Sequence, residues 1–156
     1  MGIIADRLKN LCDHLTPPEL VEGYTELTNG EINLALHSGK MVNHTGMSRK
    51  RLDNKYWACS RLDFEAIINW DWTDEKTYVA EKYDCDNFAF SFKARMDRKF
   101  HLNNVGLVVD YSGGHAYNCV IFSDGTAELF EPQSDTFVTN KIGSGLYTCT
   151  EGFIIL

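Results

Sequence analysis

Cys85, His115 and Glu131 are the residues whose types and order allow chemistry. A thiol is a nucleophile as its thiolate, an imidazole takes up the thiol proton, and a carboxylate holds that imidazole in one tautomer. Most lone cysteines are small buried hydrophobes. Cys85 differs in its setting. Phe88, Ala89, Phe92, Met96 and Phe100 follow it at helical spacing, so the thiol stands in the first turn of an amphipathic helix. Asp84 is a suitable N-cap, and Asn87 stands where a capping box places Glu or Gln. The unpaired N–H groups and positive end of such a helix favour a thiolate. Asp84 and Asp86 oppose it, because two flanking carboxylates raise the pKa of a thiol unless a cation screens them.

The elements that must bring His115 and Glu131 together are strands. Residues 104 to 110 read as a buried strand. His115 to Phe122, the turn Ser123-Asp124-Gly125 and Thr126 to Gln133 read as a hairpin. A two-residue Asp124-Gly125 turn would send His115 and Glu131 to opposite faces, because side chains alternate along a strand. A three-residue loop with Gly125 left-handed pairs Phe122 with Thr126. Glu131 then faces Tyr117, Gln133 faces His115, and Glu131 lies diagonal to His115. Asp before Gly suits either loop, and the three-residue one is inferred. Apolar Cys119, Ile121, Ala127 and Leu129 fall on the same face, which is expected to pack on the Cys85 helix.

The order of a helix-borne Cys, a Gly-His on a later strand and a carboxylate on the next resembles the papain-like and transglutaminase-like cysteine enzymes. The words Asp84-Cys85-Asp86-Asn87-Phe88-Ala89, Gly114-His115-Ala116-Tyr117-Asn118 and Glu131-Pro132-Gln133 are similar to the C-terminal domain of the fungal Marasmius oreades agglutinin, a papain-like cysteine protease domain. The resemblance spans roughly residues 78 to 156. It implies Cys85 as nucleophile, His115 as general base, Glu131 as third member and Gln133 as a further site residue. It also implies calcium as a cofactor, for which Asp84 and Asp86 are the acidic matches. Trp72 and Tyr78 are the candidate substrate-binding aromatics, with Tyr78 standing where the family has a tryptophan.

Bulk properties narrow the alternatives. With 156 residues, 44% hydrophobic content and three prolines, the chain is expected to fold as a single domain with a real core. A net charge of −7 argues against a nucleic-acid partner. Five scattered cysteines form no metal or disulfide framework and fit a reducing compartment. No apolar run reaches signal-peptide or membrane length, so the location expected is cytoplasmic with no membrane partner. The oligomeric state has no signature in the sequence.

In chain order, helices are expected over residues 3 to 15, from Pro17 to about Leu27, and over 31 to 37. Residues 38 to 56, with the basic spot Ser48-Arg49-Lys50-Arg51, read as a solvated loop. A short helix follows over 61 to 72, and a strand closes the chain over 145 to 156. His14, His37, His44 and His101 have no acidic or cysteine partner at metal-ligand spacing.

The expected fold is thus α+β and papain-like, a nucleophile helix packed on an antiparallel β-sheet. Residues 1–77 form its mainly helical N-terminal part and 78–156 the helix and sheet. The expected function is a cysteine hydrolase, a protease or amidase acting on a protein or peptide through a Cys-His-Glu triad and an acyl-thioester. The alternatives are a catalytically silent binding or inhibitor module on the same fold, or an acyl transferase of transglutaminase type.

Overall fold

The computed structural model describes residues 15–41 and 46–156. The helix expected over 3 to 15, apart from its last residue, lies outside them, as do His14 and His44.

The Cys85 helix forms as its pattern requires. Helix α3 (Cys85–Phe100) buries Phe88, Ala89, Phe92, Met96 and Phe100. (Two earlier helices among the described residues are α1, Asn29–Leu36, and α2, Arg61–Trp70.) Its start is held by Asn87 Oδ1, which accepts the Asp84 N–H at 3.0 Å. The Tyr83 ring packs on Phe88 at 4.8 Å between centroids. That contact joins the residue before the cap to the fourth helical residue and fixes the entry of the chain. His101 ends the helix in the left-handed conformation.

Eight strands make two sheets among the described residues. β1 (Thr25–Thr28) pairs antiparallel with β3 (Lys55–Ala58). The larger sheet runs β2-β8-β4-β5-β6-β7. Its strands are β2 (Met47–Lys50), β4 (Val105–Asp110), β5 (His115–Ile121), β6 (Ala127–Glu131), β7 (Thr136–Phe137) and β8 (Gly152–Ile155). The expected purely antiparallel sheet is corrected here, because β2 lies parallel to β8 at its edge. Parallel neighbours need a long crossover, and the whole chain between these two strands supplies it.

The hairpin has the three-residue loop. Gly125 is left-handed, its N–H bonds to Phe122 O at 2.9 Å, and Phe122 N–H bonds to Thr126 O at 2.9 Å. Cys119 accordingly faces Leu129, and Asn118 faces Phe130.

The face covered by α3 is the opposite of the one expected. Phe92, Met96 and Phe100 pack with Val120, Phe122 and Phe130, and with Phe64 and Ile67 of α2. Phe64 meets the rings of Phe92, Phe122 and Phe130 edge-on at 5.9, 5.7 and 5.6 Å. Cys119, Ile121, Ala127 and Leu129 instead join Ile32 and Leu36 of α1 in a second cluster on the other side of the sheet. Alternation puts Val120, Phe122 and Phe130 on the α3 side, where each buried ring contributes about 1.5–3 kcal/mol, and Tyr117 on the other.

The N-terminal part is less helical than expected. No helix spans residues 17 to 24, and Thr28 opens α1 instead of closing a helix. The reason is a capping box: Thr28 N–H donates to Glu31 Oε2 at 2.7 Å, and Glu31 N–H to Thr28 Oγ1 at 3.3 Å. The expected loop over 38 to 56 contains β2, the start of β3 and a short 3-10 turn at Gly39–Met41. Its basic residue Arg51 is engaged locally, donating to Asn29 Oδ1 and Asn33 Oδ1, each at 2.6 Å. Among the described residues no helix is long and apolar enough to cross a membrane.

Candidate ligand-binding cleft

An open cleft of about 340 Å³ lies where the start of α3 meets the start of β5, lined by Tyr78, Cys85, Gly114, His115, Glu131, Gln133 and Leu146. The first turn of α3 supplies the half-buried Cys85 thiol. The other described cysteines are poor nucleophiles, because burial pushes the thiols of Cys59, Cys119 and Cys149 up to about 12.

His115 opens β5 directly after a tight turn at Gly113-Gly114. Gly113 is required there, since a Cβ would lie 2.1 Å from Leu146 O. Asp110 ties the turn to the segment bearing Leu146 and Tyr147. Its carboxylate accepts from Ser112 Oγ at 2.5 Å, Gly113 N–H at 2.9 Å and Cys149 N–H at 2.8 Å. Burial works to raise its pKa, and these hydrogen bonds outweigh it and lower the value.

Glu131 sits at the base of the cleft with its side chain almost fully enclosed. Oε2 lies 2.6 Å from His115 Nε2 and accepts the Tyr147 hydroxyl at 3.0 Å. Oε1 accepts the Gln133 backbone N–H at 3.2 Å and its carboxamide at 3.3 Å. Burial alone would raise the Glu131 pKa, but His115, Gln133 and Tyr147 together bring it below the ordinary carboxylate value. The same contact and burial push the Tyr147 phenol up. With Nε2 engaged by the carboxylate, His115 Nδ1 is the ring nitrogen available to a ligand.

The structure thus brings Tyr78, Cys85, His115, Glu131 and Gln133 together. Trp72, the other candidate binding aromatic, does not line this cleft. Tyr147 and Leu146 were not foreseen, because the closing strand was expected from residue 145 and β8 begins at Gly152. The only trace of their role in the chain is the Gly143-Ser144-Gly145 loop just before them.

Asp84 and Asp86, the acidic residues that flank Cys85, interact with each other at the start of α3. Asp84 Oδ2 accepts the Glu81 N–H at 3.1 Å. The hydrogen bond of Asp86 to Asp84, together with burial and the Asp84 charge, raises the Asp86 pKa. Calcium takes six to eight oxygen ligands, and among the described residues no group of three or more His, Cys, Asp or Glu is arranged to hold a metal ion.

Comparison with known proteins gives the family. The model of the family described as "Ricin-type beta-trefoil lectin C-terminal domain" matches residues 28–149. The chain belongs to that family. No curated protein matches it in sequence. One similar solved structure is described as the "PSL1a-E64 complex", with a TM-score of 0.63 and 21% identity over 84% of this chain and 51% of that one. Another is a Polyporus squamosus lectin bound to the epitope Neu5Aca2-6Galb1-4GlcNAc, with a TM-score of 0.65 and 21% identity over 84% of this chain and 49% of that one. This chain spans about half the length of either.

The family match agrees with the resemblance to a fungal agglutinin and overturns the protease half of that expectation. The papain-like assignment gives way to the lectin C-terminal domain, and one of the similar solved structures is a lectin. The cysteine hydrolase, and with it the enzyme reading, is corrected on the same finding, as are the inhibitor and acyl-transferase alternatives. The expected protein or peptide substrate is corrected too, since the Polyporus squamosus lectin is bound to a glycan epitope. The physical reason for the error is that Cys, His and Glu in this order describe a local constellation, and a constellation does not by itself name a function.

Proposed function

We propose that this chain is the C-terminal module of a lectin-type protein and acts as a binding module for glycans. The observation that carries this reading is the family match over residues 28–149. The cleft between α3 and β5 is its ligand site. Tyr78, 53% exposed, and the exposed Leu146 offer apolar surface at its mouth. His115, Glu131 and Gln133 offer fixed polar atoms at its base. A few fixed polar groups within an apolar rim is the usual make-up of a small-molecule site. The test is titration with Neu5Acα2-6Galβ1-4GlcNAc, followed by amide NMR. Saturable shifts confined to Tyr78, Gly114 and His115 are expected, and their absence with this and other sialylated or galactosylated oligosaccharides would refute the reading.

A second reading of the same cleft is favoured by the half-buried Cys85 and by the relative described as a complex with E64. In it the cleft also captures thiol-directed ligands. Cys85 Sγ forms a bond to an epoxide carbon of E64 as that carbon's C–O bond opens, His115 takes the thiol proton and passes it to the released oxygen, Glu131 orients the imidazole and Gln133 steadies Glu131. E64 is the probe, and the readout is the mass of the intact protein. One added molecule on the wild type and none on Cys85→Ala is expected. No adduct on the wild type would remove this reading.

A further inference from the structure

A second cleft lies on the far end of α3. It is an open cleft of about 400 Å³, lined by Leu52, Asp53, Trp57, Lys93, Asp97, His101, Asn103 and Leu156. We propose that this cleft is a separate carbohydrate subsite, in which a pyranose ring stacks on Trp57 and its hydroxyl groups bond to Asp97, Asp53 and His101. The ligand class follows the lectin-type reading given above, but the residues are different ones.

The platform is built into the fold. Along β3 the side chains alternate, so Tyr56 and Ala58 are buried while Trp57 stands outward with 44% of its surface exposed. The backbone that carries this exposed indole is held in place. Asn103 Oδ1 accepts the Trp57 N–H at 2.6 Å, and its amide donates to Asp53 Oδ2 at 3.0 Å and Lys55 O at 3.1 Å. One asparagine therefore fixes the indole-bearing backbone and one carboxylate in a single arrangement. Such preorganisation lowers the ordering cost of binding.

The opposite wall comes from α3. Lys93 Nζ donates to Val105 O at 2.8 Å and lies 3.4 Å from Asp97 Oδ2. The other oxygen, Asp97 Oδ1, is buried with no hydrogen-bond partner. Oδ1 is closed off from any ligand, so Oδ2, on a side chain 39% exposed, is the oxygen that can accept a ligand hydroxyl. Burial, reinforced by the charge of Asp53, raises the Asp97 pKa against the pull of Lys93.

The mixture of groups selects the ligand. Two carboxylates disfavour an anion, and the ammonium of Lys93 disfavours a simple cation. A polyol both donates and accepts at each hydroxyl, and so suits carboxylate acceptors beside nitrogen donors. The apolar C–H face of a pyranose suits the flat indole. The volume lies within the range of small-molecule sites and has room for a monosaccharide with its substituents.

The test titrates the protein with methyl β-D-galactopyranoside, methyl α-D-mannopyranoside and N-acetylglucosamine, each to on the order of 10 mM, enough to saturate a millimolar site. Binding is read from the indole N–H signal of Trp57, one of three tryptophans in the chain. At least one sugar should shift that signal saturably. Asp97→Asn should weaken the binding roughly tenfold, a loss of about 1.4 kcal/mol. Trp57→Ala should abolish the shifts of neighbouring amides, and Trp57→Phe should retain weakened binding, which guards against a mere folding defect. Glu131→Gln, in the first cleft, should leave this titration unchanged. The inference is overturned if none of the sugars moves the Trp57 signal, if Trp57→Ala binds as well as wild type, or if Glu131→Gln removes the effect. A glycan that shifts His115 and its neighbours but not Trp57 would uphold the first cleft and refute this one.

Discussion

Asp135→Asn is expected to stabilise the protein by about 1–2 kcal/mol near pH 8 and to have little effect near pH 4. Asp135 is half-buried between β6 and β7, and its Oδ1 is enclosed with no hydrogen-bond partner. Burial, with the charges of Asp74 and Asp71, raises its pKa from 3.8 to about 7. The carboxyl is thus disfavoured in its charged form in the folded protein. Between these two values the native state holds a proton that the unfolded chain has released. Stability therefore falls as pH rises from about 4 to about 7 and is lowest above that range. The ceiling for the effect is about 4 kcal/mol. Asp135 keeps contact with solvent, and screening reduces this to the 1–2 kcal/mol given. Asparagine has nearly the shape of the acid and carries no charge. It also accepts the left-handed backbone that Asp135 adopts, with φ of +50°. Urea unfolding of both proteins at about pH 8, 6 and 4 measures the difference. A gain that does not shrink toward pH 4, or a loss of stability near pH 8, would refute the electrostatic reasoning.

Two further outcomes follow from the packing and the first cleft. Glu131→Gln should cost about 2–3 kcal/mol near neutral pH, because it strips the charge from an enclosed group bonded to His115, Tyr147 and Gln133. The Glu131 pKa is lowered by folding, so its contribution is present above about pH 4.5 and is lost as pH falls through the folded value. The gap between the variant and wild type in urea unfolding should close in acid. Phe64→Ala should cost about 3–5 kcal/mol in the same assay, because it empties the centre of the ring cluster joining α2, α3 and the sheet. Binding in either cleft should survive that change at temperatures where the variant is folded.

Much of the first cleft was legible because its parts are local. The start of α3 is written in Asp84, Asn87 and the Phe88-to-Phe100 stripe, which act within a few turns of helix. The register that sets Glu131 beside His115 is written in Ser123-Asp124-Gly125, where a left-handed glycine closes a three-residue loop. The function was less legible. The same residues carry a resemblance to cysteine enzymes, and the family match places the chain with lectins. Residue types at a spacing limit what a site can do without naming its ligand.

What the sequence determined by itself is short-range: helix caps, an apolar stripe, a turn type and the alternation along each strand. Backbone sterics and neighbouring side chains decide these within a few residues. The tertiary structure alone decided which pleated face α3 would cover, since both faces of β5 and β6 are apolar and the choice rests on how Phe64, Phe122 and Phe130 interlock. It alone placed β2 beside β8, Tyr147 on Glu131 and Asn103 on the Trp57 backbone. Each of these contacts joins residues far apart in the chain, and its energy is realised only after the intervening chain has folded. No local pattern records it for that reason.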